Sequence, residues 1–387
     1  MRWRGATGLA ALALVGVGLA ATPARAQSLV VIGGGLDDPA IYDRIIELAG
    51  GPDRARIGIL TTSSGTPEDS GRFYLDAFAA RGGKATWLPL TSANGRRGAE
   101  DPALAVQAAA CNVFFLGGGD QRRYTRALLR RDGSDTALLR AIRQVYEAGG
   151  VVAGTSAGAA VMVSAPMVTG GESYDALVRP RRLTDRRRGG LGFFRHGLID
   201  THFAERGRQG RIIRLAARRG VALAFGVDED TALVVTDALA ANPRMEVVGR
   251  GGVSVFDLTG ARISKRGRWR VQNLRSHYLL AGDSFSVKTR RFRAAAGHQR
   301  DDRVLAPDEG DRRDTFSAVD PKAGKRLRPR SFVRLAQSAM SRGLTATSTS
   351  GHPAEDERWR VSLRRGRGAA RYRIGSYRNL RIDIKRR

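Results

Sequence analysis

The sequence predicts an α/β domain built on a doubly wound, mostly parallel sheet. Three observations carry that expectation. Short apolar runs recur from Ser28 to Val227. Between them lie stretches with apolar residues at helical spacing. The runs end in glycine-rich or acidic turns, and ligands of such sheets sit beyond the carboxyl ends of the strands.

Taken in order, the first run is Ser28 to Gly35, a strand ending in a glycine turn. Its glycines lack the third position of a dinucleotide fingerprint, so no NAD site is expected. Pro39 to Leu48 reads as a helix and Arg56 to Thr62 as the next strand. Ser63 to Asp69 is a polar loop. Ser70 to Arg81 sets Tyr74, Leu75 and Phe78 on one helical face. Lys84 to Leu90 is a strand and Pro102 to Ala110 a helix. Asn112 to Leu116 is a strand that runs into the turn Gly117–Gln121. Tyr124 to Leu129 and Thr136 to Ala148 are helical. Gly149 to Val152 then lead into Gly154-Thr155-Ser156-Ala157-Gly158.

Beyond that turn, Leu191 to Thr201 leads into His202, and an arginine-rich helix runs from Glu205 to Arg219. Val221 to Val227 is a strand ending at Asp228-Glu229-Asp230. Thr231 to Val235 and Glu246 to Phe256 read as antiparallel strands. From about Ser286 the apolar periodicity weakens and arginines crowd. Within that tail Ser331 to Met340 suits a short helix, and Trp359 to Leu363 and Arg371 to Ile384 alternate as strands do. The chain therefore divides into an export segment at 1–26, a catalytic domain at 27–285 and a basic C-terminal extension at 286–387.

The export segment has Arg2 and Arg4 at its head, an apolar stretch from Gly5 to Ala21, and a small-residue cleavage site at Ala24-Arg25-Ala26. The mature protein is expected to begin near Gln27 and to keep no membrane anchor. Export invites disulfides, yet Cys111 is the one cysteine, so no internal bridge forms. It opens an apolar strand and reads as a core residue. The formal net charge of +29 suggests polyanions as partners. No nucleic-acid fold motif accompanies it, so we read it as an arginine-rich solvated surface. No cysteine–histidine cluster points to a metal, and no cofactor is expected.

The stretch Gly154–Gly158 fits G-x-S-x-G, in which a serine sits on a sharp strand-to-helix turn and glycines give the backbone room. The helix start would favour negative charge, and its free N–H groups can meet an oxyanion. A serine nucleophile needs a base, and the base an orienting acid. Of the five histidines, His202 follows an apolar strand and so lies at a strand end, as Ser156 does. His196 precedes that strand, His277 has no motif around it, and His298 and His352 fall in the tail. Asp228, Glu229 and Asp230 are the candidate acids. The order serine, histidine, acid disfavours an α/β-hydrolase, which runs serine, acid, histidine.

Four stretches together resemble the cyanophycinase branch of peptidase family S51, a family that includes aspartyl dipeptidase. They are Phe115–Gln121, Gly154–Ala159, Ile199–Phe203 with Arg206, Arg208 and Arg211, and Gly226–Thr231. The resemblance covers roughly Leu29 to Ser286. It implies a class-I-glutamine-amidotransferase-like fold, with Ser156 as nucleophile, His202 as base and Glu229 as its acid. It implies an oxyanion hole from the N–H groups of Gly119 and Ala157. Gln121, Asp200, Arg206, Arg208 and Arg211 match positions that hold substrate. The pattern has a glutamine where this chain has Thr201, and a lysine after the first acidic pair that is missing here. The implied substrate is cyanophycin, multi-L-arginyl-poly-L-aspartate, cleaved to β-Asp-Arg dipeptides, and a homodimer is implied. Alternatives are a peptidase of short Asp-containing or isoaspartyl peptides, and a non-catalytic protein that binds a polyanion through its basic tail.

Overall fold

Strands buried on both faces read as unbroken apolar runs, and the runs of this chain pair accordingly. The computed structural model describes residues 26–264, 269–301, 303, 314–316, 329–342, 346–351 and 358–386. The export segment, but for Ala26, and His352 lie outside the described residues. A nine-stranded sheet runs, from one edge, through Lys84–Trp87, Arg56–Leu60, Val113–Leu116, Val151–Thr155 and Ser28–Ile32. These strands are parallel. The sheet continues through Thr231–Thr236, Arg244–Gly249, Ser284–Ser286 and Arg291–Arg293, all antiparallel. Cys111 lies buried just before its strand, as its apolar surroundings suggested.

A second sheet of eight strands stands apart from the first. Its path is Ala346–Gly351, Arg358–Arg371, Tyr377–Arg386, Arg270–Leu279, Val253–Asp257, Leu223–Val227 and Leu198–Asp200, and the eighth strand, Arg262–Ser264, pairs with Arg270–Leu279 off that path. Only the last pair of the path is parallel. The stretch Glu246 to Phe256, expected as strand, therefore splits between sheets. Arg244–Gly249 joins the first sheet and Val253–Asp257 the second. Gly249 makes the crossing at φ +107°, where a Cβ would fall 2.2 Å from the Asp230 carbonyl oxygen. A chain leaving one ladder there can enter the other.

Three helix starts differ from expectation. The helix expected from Tyr124 begins earlier, as Gln121–Leu128, because the Asp120 side chain accepts from the Arg122 N–H at its start. The helix expected from Ser70 begins earlier, as Pro67–Ala79. Proline suits a first helical turn, and Glu68 and Asp69 suit its positive end. Its inward face is as expected, with Phe78 fully buried and Tyr74 and Leu75 half-buried. The arginine-rich helix begins later, as Gln209–Arg219. Before it the chain turns tightly at Gly207, with Arg206 N–H to the His202 carbonyl at 3.1 Å and Arg208 N–H to that of Phe203 at 3.0 Å. The helix Ser173–Val178 and the hairpin Met167–Gly170/Thr184–Arg186 were not anticipated. They are too short to show a period.

The described part of the basic tail is built onto the second sheet. Its strands Arg358–Arg371 and Tyr377–Arg386 pair with each other, and the second pairs with Arg270–Leu279. Val361, Leu363, Leu380, Ile382 and Ile384 alternate along them, and all are fully buried. They pack in one cluster with Phe332, Leu335 and Ala336 of the helix Ser331–Arg342. Full burial of such side chains is worth about 1.5–3 kcal/mol each. The period-2 pattern that the tail keeps is thus a core face, with arginines on the other.

Candidate active site

The site forms where strand ends of the two sheets meet. Val151–Thr155 of the first sheet delivers Ser156, whose φ is +53° and ψ −112°. That region costs a residue with a side chain of order 1–3 kcal/mol and persists only when the surroundings impose it. Here the turn is imposed by close backbone packing. A Cβ on Gly158 would lie 2.0 Å from the Leu116 carbonyl oxygen, so only glycine fits. The helix after the serine is a single turn, Ala157–Ala160. Its macrodipole is therefore slight, and the individual N–H groups matter more than the helix.

The second sheet supplies the partners. Leu198–Asp200 ends just before His202, and Leu223–Val227 just before Glu229. The two strands pair in parallel, which sets both side chains at one edge. His202 Nε2 lies 2.8 Å from Ser156 Oγ, and His202 Nδ1 lies 2.6 Å from Glu229 Oε1. A carboxylate at Nδ1 fixes the tautomer with that nitrogen protonated and leaves Nε2 as acceptor. Burial lowers the pKa of His202. Its bond to Glu229 works against that shift, and the nearby Arg206 and Arg208 reinforce it. The ring is thus held neutral, the form a base requires.

The glycine turn of the first strand seats this pair, a role the sequence reading did not assign. His202 N–H donates to the Gly33 carbonyl at 2.7 Å, and Asp230 N–H to that of Gly34 at 2.9 Å. At Gly34, with φ +106°, a Cβ would lie 2.2 Å from His202 Cε1. The signal was present as three glycines after a strand, but only the fold shows what they make room for.

The three candidate acids separate by direction. Glu229 faces His202. Asp230 turns back, and its Oδ1 accepts from the N–H groups of Asp37 and Asp38 at 2.6 and 2.9 Å. Asp228 points into the protein and is fully buried. The other described histidines stand elsewhere. His196 lies at the far end of its strand against the Ala238 carbonyl, His298 pairs with Asp283, and His277 is buried among Phe285 and Phe292.

A cleft of about 160 Å³ opens beside Ser156. Gly119, Gln121, Ala157, Asp200, Thr201, Arg206, Arg208 and Arg211 line it, so every expected site residue borders it except Glu229, which stands behind His202. Among the described residues the N–H groups of Gly119 and Ala157 donate to no backbone carbonyl, so both are free for an oxyanion. Gln121 Nε2 donates to the Val168 carbonyl at 2.7 Å, which ties it to the strand Met167–Gly170 that also lines the cleft.

Asp200 is the residue whose place differs most from the simplest expectation. Its carboxylate is taken by the protein itself. Arg211 donates to both oxygens at 2.7 and 2.6 Å, Arg208 Nη1 stands 3.3 Å from Oδ1, and Thr201 N–H bonds Oδ1 at 3.0 Å. Burial would raise this carboxyl, but Arg211 and Arg208 hold it below its ordinary range. Asp200 thus holds two arginines in the wall of the cleft, and Arg211 is fully taken up there, because its Nη1 donates to the Gly171 carbonyl at 2.8 Å. Arg208 is itself lowered to about 10, chiefly by burial, and its Nε has no hydrogen-bond partner. Arg206 is exposed, and no ion pair holds it among the described residues. The remaining arginines of the helix turn away. Arg218 and Arg219 bind Asp185, and Arg214 lies over the Trp269 ring at 4.4 Å.

A serine, a histidine and a glutamate in hydrogen-bonded series, with free N–H groups beside the serine, define a serine-type hydrolase. Comparison with known proteins carries this further. Residues 97–241 match the family model of peptidase family S51. The cyanophycinase of Synechococcus elongatus is 31% identical over 274 residues, covering 68% of this chain and 80% of that one. The cyanophycinase of Geminocystis herdmanii is 33% identical over 273 residues, covering 68% and 94%. That of Trichormus variabilis is 32% identical over 279 residues, covering 70% and 89%. A crystal structure of a peptidase from an acI-B1 actinobacterium aligns with TM-score 0.50 at 20% identity, covering 68% of this chain and 98% of that one, which speaks to the fold alone. The chain belongs to peptidase family S51 and is a hydrolase, so the reading as a non-catalytic binding protein falls away.

Proposed function

We propose that the protein is an exported exopeptidase of cyanophycinase type. The observation that carries the reading is the series Ser156–His202–Glu229 at the mouth of a cleft whose wall holds Arg208 and Arg211 on Asp200 and also carries the exposed Arg206. Ser156 Oγ attacks the scissile carbonyl carbon and gives its proton to His202 Nε2, while Glu229 steadies the imidazolium. The tetrahedral oxygen accepts from the N–H groups of Gly119 and Ala157. His202 passes the proton to the leaving amine, and the acyl group stays on Ser156. A water, deprotonated by His202, then releases the acid.

The substrate class is supported by the named relatives and by the charge of the cleft. Cyanophycin presents carboxylates at its chain end and on every arginyl branch. Guanidinium groups grip carboxylates bidentately, and Arg206 and Arg208 have donors to spare. A second reading, hydrolysis of short Asp-containing or isoaspartyl peptides, is favoured by Thr201, where the cyanophycinase pattern has glutamine, and by the small cleft.

The test incubates the protein from Gln27 onward, beside Ser156→Ala, with cyanophycin and with Asp-X and isoaspartyl peptides, and weighs the products. β-Asp-Arg from the unaltered protein alone is the expected result. Cleavage of short peptides only would move the substrate to the second reading. Equal cleavage by both proteins, or none by either, would overturn the role of Ser156.

A further inference from the structure

We propose that Arg330 is a positioning residue for the active site, through which the basic tail holds the turn that carries Glu229. The proposal rests on the serine-hydrolase reading above and extends it to a part of the chain outside the four motifs. Arg330 immediately precedes the helix Ser331–Arg342, and its φ is +63°. A side-chain-bearing residue in that region is held there by its surroundings. Its N–H donates to the Ala204 carbonyl at 2.9 Å, and the next residue is pinned as well, with Ser331 Oγ donating to the Asp314 carbonyl at 2.7 Å.

The guanidinium makes the connection. Nη1 donates to Glu205 Oε1. Nη2 stands 2.6 Å from the Tyr278 hydroxyl and 3.2 Å from Asp228 Oδ2. The two carboxylate partners in turn hold backbone at the site. Glu205 Oε2 accepts from the N–H of Glu229 itself at 3.1 Å. Asp228 Oδ1 accepts from Ala204 N–H at 2.9 Å, two residues after His202. Asp228 Oδ2 takes the Tyr278 hydroxyl at 2.6 Å and Gly252 N–H at 3.2 Å. Arg330 therefore clamps the turns that deliver both His202 and Glu229.

The clamp is needed for an electrostatic reason. Two carboxylates lie together here, one fully buried. Burial, and then the neighbouring Glu205, push the Asp228 carboxyl up to about 7, with Arg330 and the Tyr278 hydroxyl opposing. Without the cation the buried Asp228 would take up a proton, and Glu205 would lose the guanidinium that fixes one oxygen while the other accepts from the Glu229 N–H. A guanidinium suits the task because its planar fork reaches two acceptors at fixed angles, which an ammonium cannot do.

The test uses the full chain and two readouts. One is the rate at which a fluorophosphonate labels Ser156, resolved into the binding constant and the maximal rate. The other is the low-field proton resonance of His202 Nδ1–H with histidine-selective ¹⁵N labelling, which depends on the bond to Glu229 and not on serine reactivity. Arg330→Met is expected to lower the maximal labelling rate by about 100-fold, the order set by small misplacements of a reacting pair, with the binding constant unchanged. The His202 resonance should move upfield or broaden. Arg330→Lys should fall between. Glu205→Gln combined with Arg330→Met should lose no more than the worse single variant. Near-UV circular dichroism counts the folded fraction in each. Wild-type values of the resonance and the rate in folded Arg330→Met, multiplying losses in the double variant, or a loss explained by the unfolded fraction would each overturn the proposal. If the unaltered protein is not labelled at Ser156, the serine reading fails, while the His202 resonance still decides the role of Arg330.

Discussion

Arginine behaves in opposite ways in the cleft and on the arginine-bearing face of the second sheet. In the cleft Arg211 and Arg208 converge on Asp200, whose side chain is 3% exposed, and every bond is directed. On the second sheet the half-buried Arg364 stands opposite Arg381, and Arg381 opposite Arg275, so three arginines form a row across three strands. The acids there are more distant, with Asp257 at 3.6 Å from Arg275 and Asp383 at 3.7 Å from Arg364. Burial, and after it Arg275 and Arg364, lower the pKa of Arg381. The same side chain is a positioned tool where a buried carboxylate faces it, and a mild liability where its own kind does. Composition cannot tell the two apart.

The comparison can be broken most forcefully at the acid. Glu229→Gln keeps the shape but loses the charge that orients His202, and kcat should fall by about 10⁴-fold. Steady-state kinetics on the preferred peptide would measure it, and a loss below about tenfold would remove Glu229 from the series. Next in size is Arg211→Met, which leaves the buried Asp200 with only the longer Arg208 contact and the Thr201 N–H. Removing one member of a buried pair costs about 3–5 kcal/mol. Urea unfolding should show that loss, and adding Asp200→Asn should recover part of it.

A smaller effect depends on pH. His277 is buried, and its pKa is lowered to about 3, chiefly by burial and then by Arg275. Between that value and about 6.5 the unfolded chain binds a proton that the folded one does not, so acidification costs stability. The buried Asp228, raised to about 7, acts in the opposite sense over nearly the same range. His277→Phe removes only the first. Relative to the unaltered protein, it should gain up to about 1.4 kcal/mol for each pH unit below about 6.5, read from urea midpoints at several pH values. The smallest change sharpens the arginine row. Arg381→Gln should stabilise by about 0.5 kcal/mol by relieving like charges directly opposite. The gain should shrink in about 0.5 M salt, because half-exposed charges are screened.

Much of the site was legible before the structure. Ser156, His202 and the acidic triplet could be found because each follows an apolar strand, and a strand end is a local property. The choice among Asp228, Glu229 and Asp230 needed the family resemblance. The fold shows its cause, since the three side chains leave the turn in three directions. Asp200 was found as a site residue, but its partners were not, because Arg211 reaches it through a turn whose closure at Gly207 has no periodic signal. The tail was the least legible part. Its alternation of Val361, Leu363, Ile382 and Ile384 was visible, yet arginines between them lowered the contrast on which periodicity depends.

By itself the sequence determined the apolar strands and their order, the serine elbow, and the residue types that meet around it. Those follow from short-range sterics and from solvent exclusion, which act on neighbours in the chain. Only the tertiary structure decided that residues 244–257 divide between two sheets, that Gly34 makes room for an imidazole, and that Arg330 reaches back to the turns beside the triad. Those contacts join residues far apart in the chain. Their energies come from burial and from charges brought within a few ångströms, which exist only once the sheets have met.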